Sequence, residues 1–386
     1  MNTLPTGARA LLIALNTPGP NGTMGIPVLL WGRAGVGKSS FLLALDSELL
    51  KVITIIAAIH DPTDFSGLPI QQDGTVHYAA PAWVDEFAAY PDGILFLDEL
   101  STSPPSVQAA LLRVVFERRV GFKPLPDRVR IVAAANPPDL IVGGWELSPP
   151  LRNRFVHLQW DITPELYIEA LSDGWARGEL PRIDATRHVA ALPEVRLRIA
   201  GFLKIQPDAL HGDPSTDAYG YASPRSWEYA ARLLASCEVL SIPPDEELLR
   251  GCLGEGTAIA LLAYLTHLKQ PDPRAVLDGQ VDPEVAAMND GELYILFKSL
   301  NRVLERTTDE QLTTRFDRYL VHTLAVSQSG RKDVIYQALR QVAVSGTLGK
   351  AAALNGMQAT PLPELLPRIQ QLFDDETLNT YINVVT

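Results

Sequence analysis

The sequence predicts an α/β protein: a parallel sheet flanked by helices, then an all-helical lid and a helical C-terminal extension. Residues 52–57 and 94–97 are apolar runs without charge, typical of strands buried on both faces of a parallel sheet. From residue 181 onward the pattern is almost wholly helical. Segments rich in proline and glycine mark two boundaries, so we predict domains at 1–178, 179–270 and 271–386.

A glycine-rich loop lies between an apolar run at 26–30 and a helical pattern at 41–45. Glycines let successive backbone N–H groups turn inward around phosphate oxygens, and the start of the helix adds positive potential. Lys38 would reach the β- and γ-phosphates and the Ser39 hydroxyl would bind Mg²⁺. The alternative is a glycine turn that matches this motif by chance. The predicted binding residues are Gly32, Arg33, Ala34, Gly35, Val36, Gly37, Lys38, Ser39 and Ser40.

Two carboxylates follow the apolar run at 94–97. Asp98 stands at the end of this predicted strand, where a carboxylate can hold the water shell of Mg²⁺. The adjacent Glu99 is placed to polarise an attacking water as a general base. An acidic turn after a core strand is the alternative, but the phosphate loop upstream favours Mg²⁺ binding and hydrolysis.

Four further polar residues are ambiguous from the local sequence. Asn136 follows a predicted strand at 130–135 and would orient the lytic water or touch the γ-phosphate, or else belong to an Asn-Pro turn. Arg152 and Arg154 precede an apolar segment, and Arg225 lies at a capped helix start. For Arg152 and Arg154 taken alone, the local sequence favours solvated loop charges over a functional role.

Composition limits the classes of partner. The chain has 33 Lys and Arg against 45 Asp and Glu, a net charge of −12, which disfavours nonspecific binding to nucleic acid or to an anionic membrane. The longest apolar-rich segment, 257–268, is too short to span a bilayer, and the N-terminus lacks a secretory pattern. We expect a cytoplasmic protein in which Cys237 and Cys252 are reduced thiols.

Other elements are predicted between these motifs. Residues 8–15 read as a helix, 74–78 as a short strand, 82–90 as a helix and 163–177 as a helix. Residues 60–69 are polar and rich in proline and glycine, which predicts an irregular loop. Residues 119–130 read as a β-hairpin, and 284–383 as further helices.

These motifs, in this order and at these spacings, resemble those of the AAA+ ATPases, and among them the MoxR-like group. The resemblance covers about residues 8–270 and is closest between Asp61 and Phe155. It rests on Asp-Pro-Thr-Asp-Phe-Ser-Gly at 61–67, Asp98-Glu99, Ser-Pro-Pro-Ser-Val-Gln-Ala-Ala-Leu-Leu at 103–112, Glu-Arg-Arg-Val at 117–120, Ala-Asn-Pro-Pro at 135–138 and Leu-Ser-Pro-Pro-Leu-Arg-Asn-Arg-Phe at 147–155.

The resemblance implies roles for the ambiguous residues. Asn136 falls at the position called sensor 1, and Arg225 at sensor 2, where an arginine from the lid reaches the γ-phosphate of the same subunit. Arg154, or else Arg152, falls at the arginine finger, which acts on the nucleotide of a neighbouring subunit. The segment around 64–80 resembles the helix-2 insertion and the hairpin at 119–130 the pre-sensor-1 insertion, both of which face the ring pore or a client in this group.

The resemblance further implies an ATPase that uses ATP and Mg²⁺, forms a ring of this chain, expected to be a hexamer, and remodels a client protein. The expected kind of client is a von Willebrand factor A domain protein. Two other functions stay open: a nucleotide-gated assembly scaffold with little turnover, and a nucleic-acid motor, which the negative charge disfavours. A small-molecule kinase is disfavoured, because such an enzyme would have no role for the Asp98-Glu99 pair.

Overall fold

A computed structural model describes residues 4–140, 145–174, 178–215, 219–347, 350–351 and 354. The chain divides into two compact units. The first comprises Met1–Val195 and Asp208–Leu262, and the second Arg196–Pro207 and Ala263–Thr386. The three-domain division drawn from the sequence stays a prediction.

The strands of the described residues all belong to the first unit. They are β1 (Val28–Trp31), β2 (Leu50–Ile56), β3 (Leu68–Gln72), β4 (Thr75–Ala79), β5 (Asp92–Asp98), β6 (Arg119–Val120), β7 (Lys123–Pro124), β8 (Val129–Ala135) and β9 (Val156–Gln159). The helices of that unit are α1 (Ala8–Asn16), α2 (Lys38–Leu43), α3 (Thr63–Ser66), α4 (Trp83–Glu86), α5 (Pro105–Glu117), α6 (Pro149–Arg152), α7 (Pro164–Asp173), most of α8 (Ala185–Ile205, which continues into the second unit), α9 (Pro224–Val239), α10 (Glu246–Leu253) and most of α11 (Glu255–His267, which also continues).

Five strands form one parallel sheet in the order β2-β5-β8-β1-β9. Every residue of β8 and β1 is buried, as expected for strands covered on both faces. The sheet with its flanking helices, followed by a helical part, confirms the predicted α/β class. Because the strands are parallel, the residues that follow β5, β8 and β1 meet at one edge of the sheet, where open α/β sheets bind ligands.

Two antiparallel hairpins project from this sheet. In the first, β3 pairs with β4 so that Leu68 lies opposite Ala79; in the second, Arg119 of β6 lies opposite Pro124 of β7. The second confirms a hairpin within 119–130, although its strands have only two residues each. The turn of the second hairpin contacts the helix that precedes the first, since the N–H of Gly121 donates to the carbonyl of Phe65 on α3 (3.1 Å).

The prediction of an irregular loop at 60–69 was wrong. This segment contains α3 and the start of β3. The helix forms because the Phe65 side chain is fully buried in the core of the first unit, and β3 forms because β4 supplies its hydrogen bonds. The local composition gives no information about either of these tertiary contacts.

Two other predicted helices are shorter than the sequence pattern implied. The predicted helix at 82–90 is α4 followed by a 3₁₀ turn at Phe87–Ala89. The predicted helix at 163–177 ends at Asp173, where Gly174 adopts a positive φ of 84°. Residues 175–177 lie outside the described residues.

The second unit is helical in its described part. Beyond the ends of α8 and α11 it contains α12 (Pro273–Leu277), α13 (Asp290–Glu305), α14 (Asp309–Gln328) and α15 (Lys332–Val344). Its core is built around Tyr319, whose ring centroid lies 5.6 Å from that of Phe297 and 5.8 Å from that of Phe316. The helices expected at 284–383 are therefore present up to this point, and the remainder of that prediction lies outside the described residues.

Both cysteines are buried, and burial raises the pKa of the Cys237 thiol to about 11. Among the described residues, no helix is both long and apolar enough to cross a membrane.

Candidate nucleotide site

The phosphate loop connects the end of β1 to the start of α2. Gly35 and Gly37 have positive φ values of 81° and 79°, a conformation that favours glycine. At Gly32 a Cβ atom would lie 2.5 Å from the carbonyl oxygen of Trp160, so only glycine fits there. The loop therefore needs glycine at these positions for its own geometry, whatever it binds.

Lys38 is the first residue of α2 and is 8% exposed. Its Nζ donates to the carbonyl oxygens of Gly32 (2.5 Å) and Arg33 (3.0 Å), so the ammonium group lies inside the loop. Burial lowers its pKa from the ordinary lysine value, and the charges of Asp98 and Glu99 oppose that shift. The positive charge is thus held where the phosphates of a nucleotide would pass.

The Ser39 hydroxyl donates to Oδ2 of Asp98 over 2.7 Å, which joins α2 to the end of β5. The second oxygen of Asp98 accepts from the N–H of Glu99 (3.0 Å). A hydroxyl beside a carboxylate is the oxygen pair that Mg²⁺ takes in phosphate-loop proteins.

Glu99 has a left-handed backbone, with φ 56° and ψ 38°, which is uncommon for a residue other than glycine. The Thr102 hydroxyl donates to the Glu99 carbonyl (2.8 Å) and stabilises this turn. The conformation directs the chain away from β5 immediately after Asp98, so the two carboxylates occupy different positions.

Asn136 follows β8, the strand between β5 and β1. Its N–H donates to the hydroxyl of Ser101 (3.1 Å), a fully buried residue two positions beyond Glu99. Ser101 therefore ties the end of β8 to the turn that carries Glu99, and Asn136 lies at the sheet edge shared with the phosphate loop.

A cavity of about 700 Å³ adjoins the phosphate loop. It lies between the loop, Phe41 of α2 and the segment from Ile162 to Tyr167 that begins α7. Trp160 stabilises the wall of this cavity, because its ring contacts Phe41 and its Nε1–H donates to the Val36 carbonyl (3.1 Å). The volume and the mixed apolar and polar lining suit a ligand of nucleotide size.

Arg154 and Arg225 lie together on the ring of Phe116, the penultimate residue of α5. Their guanidinium carbons are 4.9 and 5.1 Å from the ring centroid. Arg154 also donates to the Pro150 carbonyl, and its pKa is lowered by burial and by the charge of Arg225. The structure thus brings the predicted finger and the predicted sensor 2 into one cluster.

Arg152 belongs to the same region. Its Nη2 donates to the Pro214 carbonyl (2.6 Å), and its guanidinium carbon lies 5.9 Å from the ring centroid of Tyr221. Burial raises the pKa of Tyr221, and the three arginines at 152, 154 and 225 oppose that rise. Tyr221 in turn donates to the Pro149 carbonyl (3.1 Å).

Asn153 joins the arginine segment to α9. Its Oδ1 accepts from the hydroxyl of Ser223 (2.9 Å) and from Nη1 of Arg225 (3.1 Å). Ser223 also caps α9 through a reciprocal pair with Ser226. The start of α9 and the residue between the two arginines are therefore fixed to each other.

A buried imidazole links this region to the phosphate loop. Nδ1 of His157 on β9 accepts from the indole N–H of Trp31 (2.9 Å), and Nε2 contacts the Arg152 carbonyl at 2.9 Å. Trp31 immediately precedes Gly32. Burial lowers the pKa of His157 to about 4, so at neutral pH the ring is uncharged, with Nδ1 accepting and Nε2 donating.

Comparison with known proteins gives one family match. Residues 27–155 match the AAA domain of the dynein-related subfamily. Nitrogen fixation protein AnfA of Azotobacter vinelandii is 34% identical over 118 residues, which are 28% of this chain and 22% of that protein. The Psp operon transcriptional activator of Escherichia coli (strain K12) is 36% identical over 119 residues, 28% of this chain and 37% of that protein.

The chain therefore spans less than two fifths of the length of either relative. A crystal structure from Cytophaga hutchinsonii ATCC 33406 aligns with a TM-score of 0.37 and 18% identity, over 61% of this chain and 76% of that one, a similarity too low to support an inference. The matched segment contains the phosphate loop and strands β1 to β8, so this part of the chain is similar to an AAA domain, a match that implies nucleotide binding.

Sequence reasoning missed Phe116, Asn153 and the Trp31–His157 pair. Phe116 is a large aromatic residue outside the buried face of α5, and its side chain is 56% exposed. No feature of the local sequence points to Asn153 or His157, because their roles depend on contacts with residues far along the chain.

Proposed function

We propose that this protein is a Mg²⁺-dependent, MoxR-like AAA+ ATPase that assembles into a ring and couples ATP hydrolysis to remodelling of a partner protein. The observation that carries the proposal is the 2.7 Å pair between Ser39 and Asp98, beside the buried ammonium of Lys38. This arrangement places a cation for phosphates and an oxygen pair for Mg²⁺ side by side, at the start of α2 and the end of β5.

Lys38 and the loop N–H groups would hold the phosphates, while Ser39 and Asp98 would hold Mg²⁺. Bound ATP supplies the phosphoanhydride bond, and Mg²⁺ neutralises charge that develops when that bond breaks. Glu99 would orient a water molecule and take its proton. Asn136, tied through Ser101 to the Glu99 turn, would hold the same water or the γ-phosphate.

Arg154, with Arg152 as the alternative, would act as the finger toward a neighbouring subunit. A finger supplied in trans contributes on the order of 10³–10⁵ in rate in phosphoryl transfer. Arg225 is the proposed sensor 2, and its shared contact with Phe116 makes its position depend on that of Arg154. An isolated subunit would then be a poor ATPase.

The hairpins provide a surface for a partner protein. Leu68, Val76 and Tyr78 on β3 and β4, and Phe122 between β6 and β7, are 59%, 62%, 43% and 59% exposed. Exposed apolar side chains in such numbers on projecting hairpins are typical of protein contact sites. A von Willebrand factor A domain protein is the proposed kind of client.

The first test measures ATP binding and turnover of the full chain with Mg²⁺. Lys38→Ala should abolish nucleotide binding, while Lys269→Ala, an exposed lysine of the second unit, should behave as wild type. Glu99→Gln should bind ATP, lose turnover and accumulate assembled rings. Full turnover in Glu99→Gln would overturn the hydrolytic role of Glu99, whereas little turnover in the wild type together with undiminished function in Glu99→Gln would favour the scaffold.

The second test asks whether Arg154 acts in trans. Arg154→Ala and Glu99→Gln proteins should each be nearly inactive. Mixed in equal amounts they should regain about a quarter of wild-type turnover, because a site then needs Glu99 from one subunit and Arg154 from its neighbour in a head-to-tail ring. Arg187→Ala is the matched control and should be active alone. An inactive mixture, or an active Arg154→Ala protein, would contradict the assignment.

The client is sought by capture on the ATP-bound Glu99→Gln ring, with Lys38→Ala as the control that cannot bind nucleotide. A second candidate function comes from the Escherichia coli relative, whose name is that of a transcriptional activator. It would require binding to nucleic acid or to the transcription machinery. The net charge of −12 disfavours direct nucleic-acid binding, so salt-sensitive DNA binding by the full chain would be needed to favour this function.

A further inference from the structure

Four arginines from three helices line one small cavity in the second unit. The cavity has a volume of about 310 Å³, and its lining includes Arg274 at the start of α12, Arg302 on α13, Arg306 just after α13 and Arg315 on α14. Thr307, Thr308 and Gln311 add hydroxyl and amide groups. Among the described residues, the lining contains no carboxylate.

One of these arginines is held rigidly. Arg315 forms two hydrogen bonds to the carboxylate of Asp278, at 2.7 and 3.2 Å, and donates from Nη1 to the Thr307 hydroxyl (3.1 Å). Its side chain is 15% exposed. The bond to Asp278 fixes the guanidinium plane beside the cavity without placing that carboxylate in the lining.

Besides Asp278, which pairs with Arg315, two further acids close in sequence to the lining are paired with groups outside it. Glu305 accepts from Gln341 of α15 (3.2 Å), and Asp309 pairs with Lys350 (2.6 Å). Arg274 and Arg306 are exposed at the mouth of the cavity. Placing several arginines around one cavity costs free energy because their like charges repel one another. A bound anion would offset this repulsion, in a chain whose net charge is otherwise negative.

We propose that this cavity binds a small phosphate-bearing molecule. Guanidinium groups offer paired N–H donors that match the oxygens of a phosphate. The Thr308 hydroxyl can add a further donor, whereas the Thr307 hydroxyl already donates to the Val303 carbonyl (2.7 Å). The volume lies at the lower end for ligand sites and suits a phosphate monoester or a diphosphate. This site lies in a different unit from the phosphate loop and does not depend on the proposed ATPase.

The test uses the full chain carrying Lys38→Ala, so that the phosphate loop does not contribute. Inorganic phosphate and pyrophosphate are titrated at constant ionic strength, with chloride as the reference salt, and binding is followed by calorimetry and by the unfolding temperature. Pyrophosphate should bind and raise the unfolding temperature. The double variant Arg274→Gln/Arg306→Gln should bind at least tenfold more weakly, and Arg340→Gln, an exposed arginine of α15, should bind unchanged.

Both arginine variants alter exposed side chains, and their unfolding temperatures without phosphate verify that they fold. Equal pyrophosphate affinity in the double variant and in Arg340→Gln would overturn the proposal, as would absence of binding in the parent protein. A phosphoserine peptide is compared with its unphosphorylated form in the same assay. Tighter binding of that peptide than of pyrophosphate would overturn the assignment to a small molecule.

Discussion

The indole N–H of Trp31 donates to Nδ1 of His157 over 2.9 Å, across two adjacent strands of the sheet. Since Nδ1 accepts, the proton of the neutral ring is on Nε2, which donates to the carbonyl of Arg152. A single buried side chain thus connects the residue before the phosphate loop to the segment that carries Arg152 and Arg154.

This connection predicts a loss of stability in acid. The folded-state pKa of His157 is about 4, against 6.5 when unfolded, so between these values the unfolded chain binds the extra proton. The free energy of unfolding should fall as the pH drops from 6.5 to 4, with about 3 kcal/mol of the loss due to His157. Urea unfolding across this range measures it.

His157→Gln keeps an acceptor and a donor but does not titrate, so its unfolding free energy should fall less over the same range. His77→Gln, on the exposed strand β4, should retain the wild-type dependence. Parallel curves for wild type and His157→Gln would contradict the assigned proton state.

Phe116 should matter for turnover although it is exposed. Its ring contacts both Arg154 and Arg225, and cation–π contacts contribute about 0.5–2 kcal/mol each. Phe116→Leu should lower kcat of the assembled protein by about tenfold, with little change in ATP affinity. Phe122→Leu, which removes the ring that Arg113 contacts, is the control and should keep kcat. Unchanged turnover in Phe116→Leu would show that the ring does not position the arginines.

Ser39→Ala should raise the Mg²⁺ concentration needed for half-maximal ATPase activity by about tenfold, because the hydroxyl paired with Asp98 is lost. Ser40→Ala removes the adjacent, exposed hydroxyl of the same helix and should leave the Mg²⁺ requirement unchanged. A Mg²⁺ titration of ATPase activity at saturating ATP compares the two. The same requirement in both variants would remove Ser39 from the proposed metal site.

Glu247 predicts a stability change with the opposite sign to that of His157. It lines a cavity of about 530 Å³ in the first unit, and burial together with the charge of Asp245 raises its pKa to about 7. The folded state therefore holds the proton between pH 4.5 and 7 while the unfolded state releases it, so stability falls as the pH rises through this window.

Glu247→Gln should therefore be more stable than wild type by about 2 kcal/mol at pH 8 and show little gain at pH 4.5. Glu246→Gln, at the neighbouring exposed position, should differ little from wild type at either pH. Chemical denaturation at the two pH values distinguishes them, and a pH-independent effect of Glu247→Gln would contradict the raised pKa.

Gly67 offers a test of how the hairpins are joined. A Cβ there would lie 3.0 Å from Tyr78 and 3.1 Å from Gly121, in a backbone of φ +87°, whereas Gly74 has φ +79° and open space. Gly74→Ala should cost about 1 kcal/mol through backbone strain alone, and Gly67→Ala about 2–4 kcal/mol through strain and crowding. Thermal unfolding measures both, and equal losses would mean that the hairpins separate without cost.

Local sequence was enough to predict the α/β fold class and to single out the residues proposed for the centre of the site. The strand before Asp98 and the loop around Lys38 are defined by contiguous residues, so apolar runs and glycine spacing identify them. The arginine cluster is different, because Arg225 reaches Asn153 across 72 positions and Trp31 reaches His157 across 126. Such pairs depend on strand order and helix packing, which short patterns do not encode.

The error at 60–69 has the same cause. The segment has the composition of a loop, but burial of Phe65 and pairing with β4 supply the free energy that ordered structure requires. Sequence reasoning identifies elements that are stable through their own pattern and fails where a distant partner supplies the stabilising contact.

The amide oxygen of Asn153 accepts hydrogen bonds from both Ser223 and Arg225 at the start of α9. A rotation of α9 relative to this segment would break the bonds to Ser223 and Arg225 in the same movement, because one atom accepts both. Intermediate positions then keep neither bond fully, which favours two discrete states over a continuum. A single side chain amide would in this way make the response of the arginine segment all-or-none.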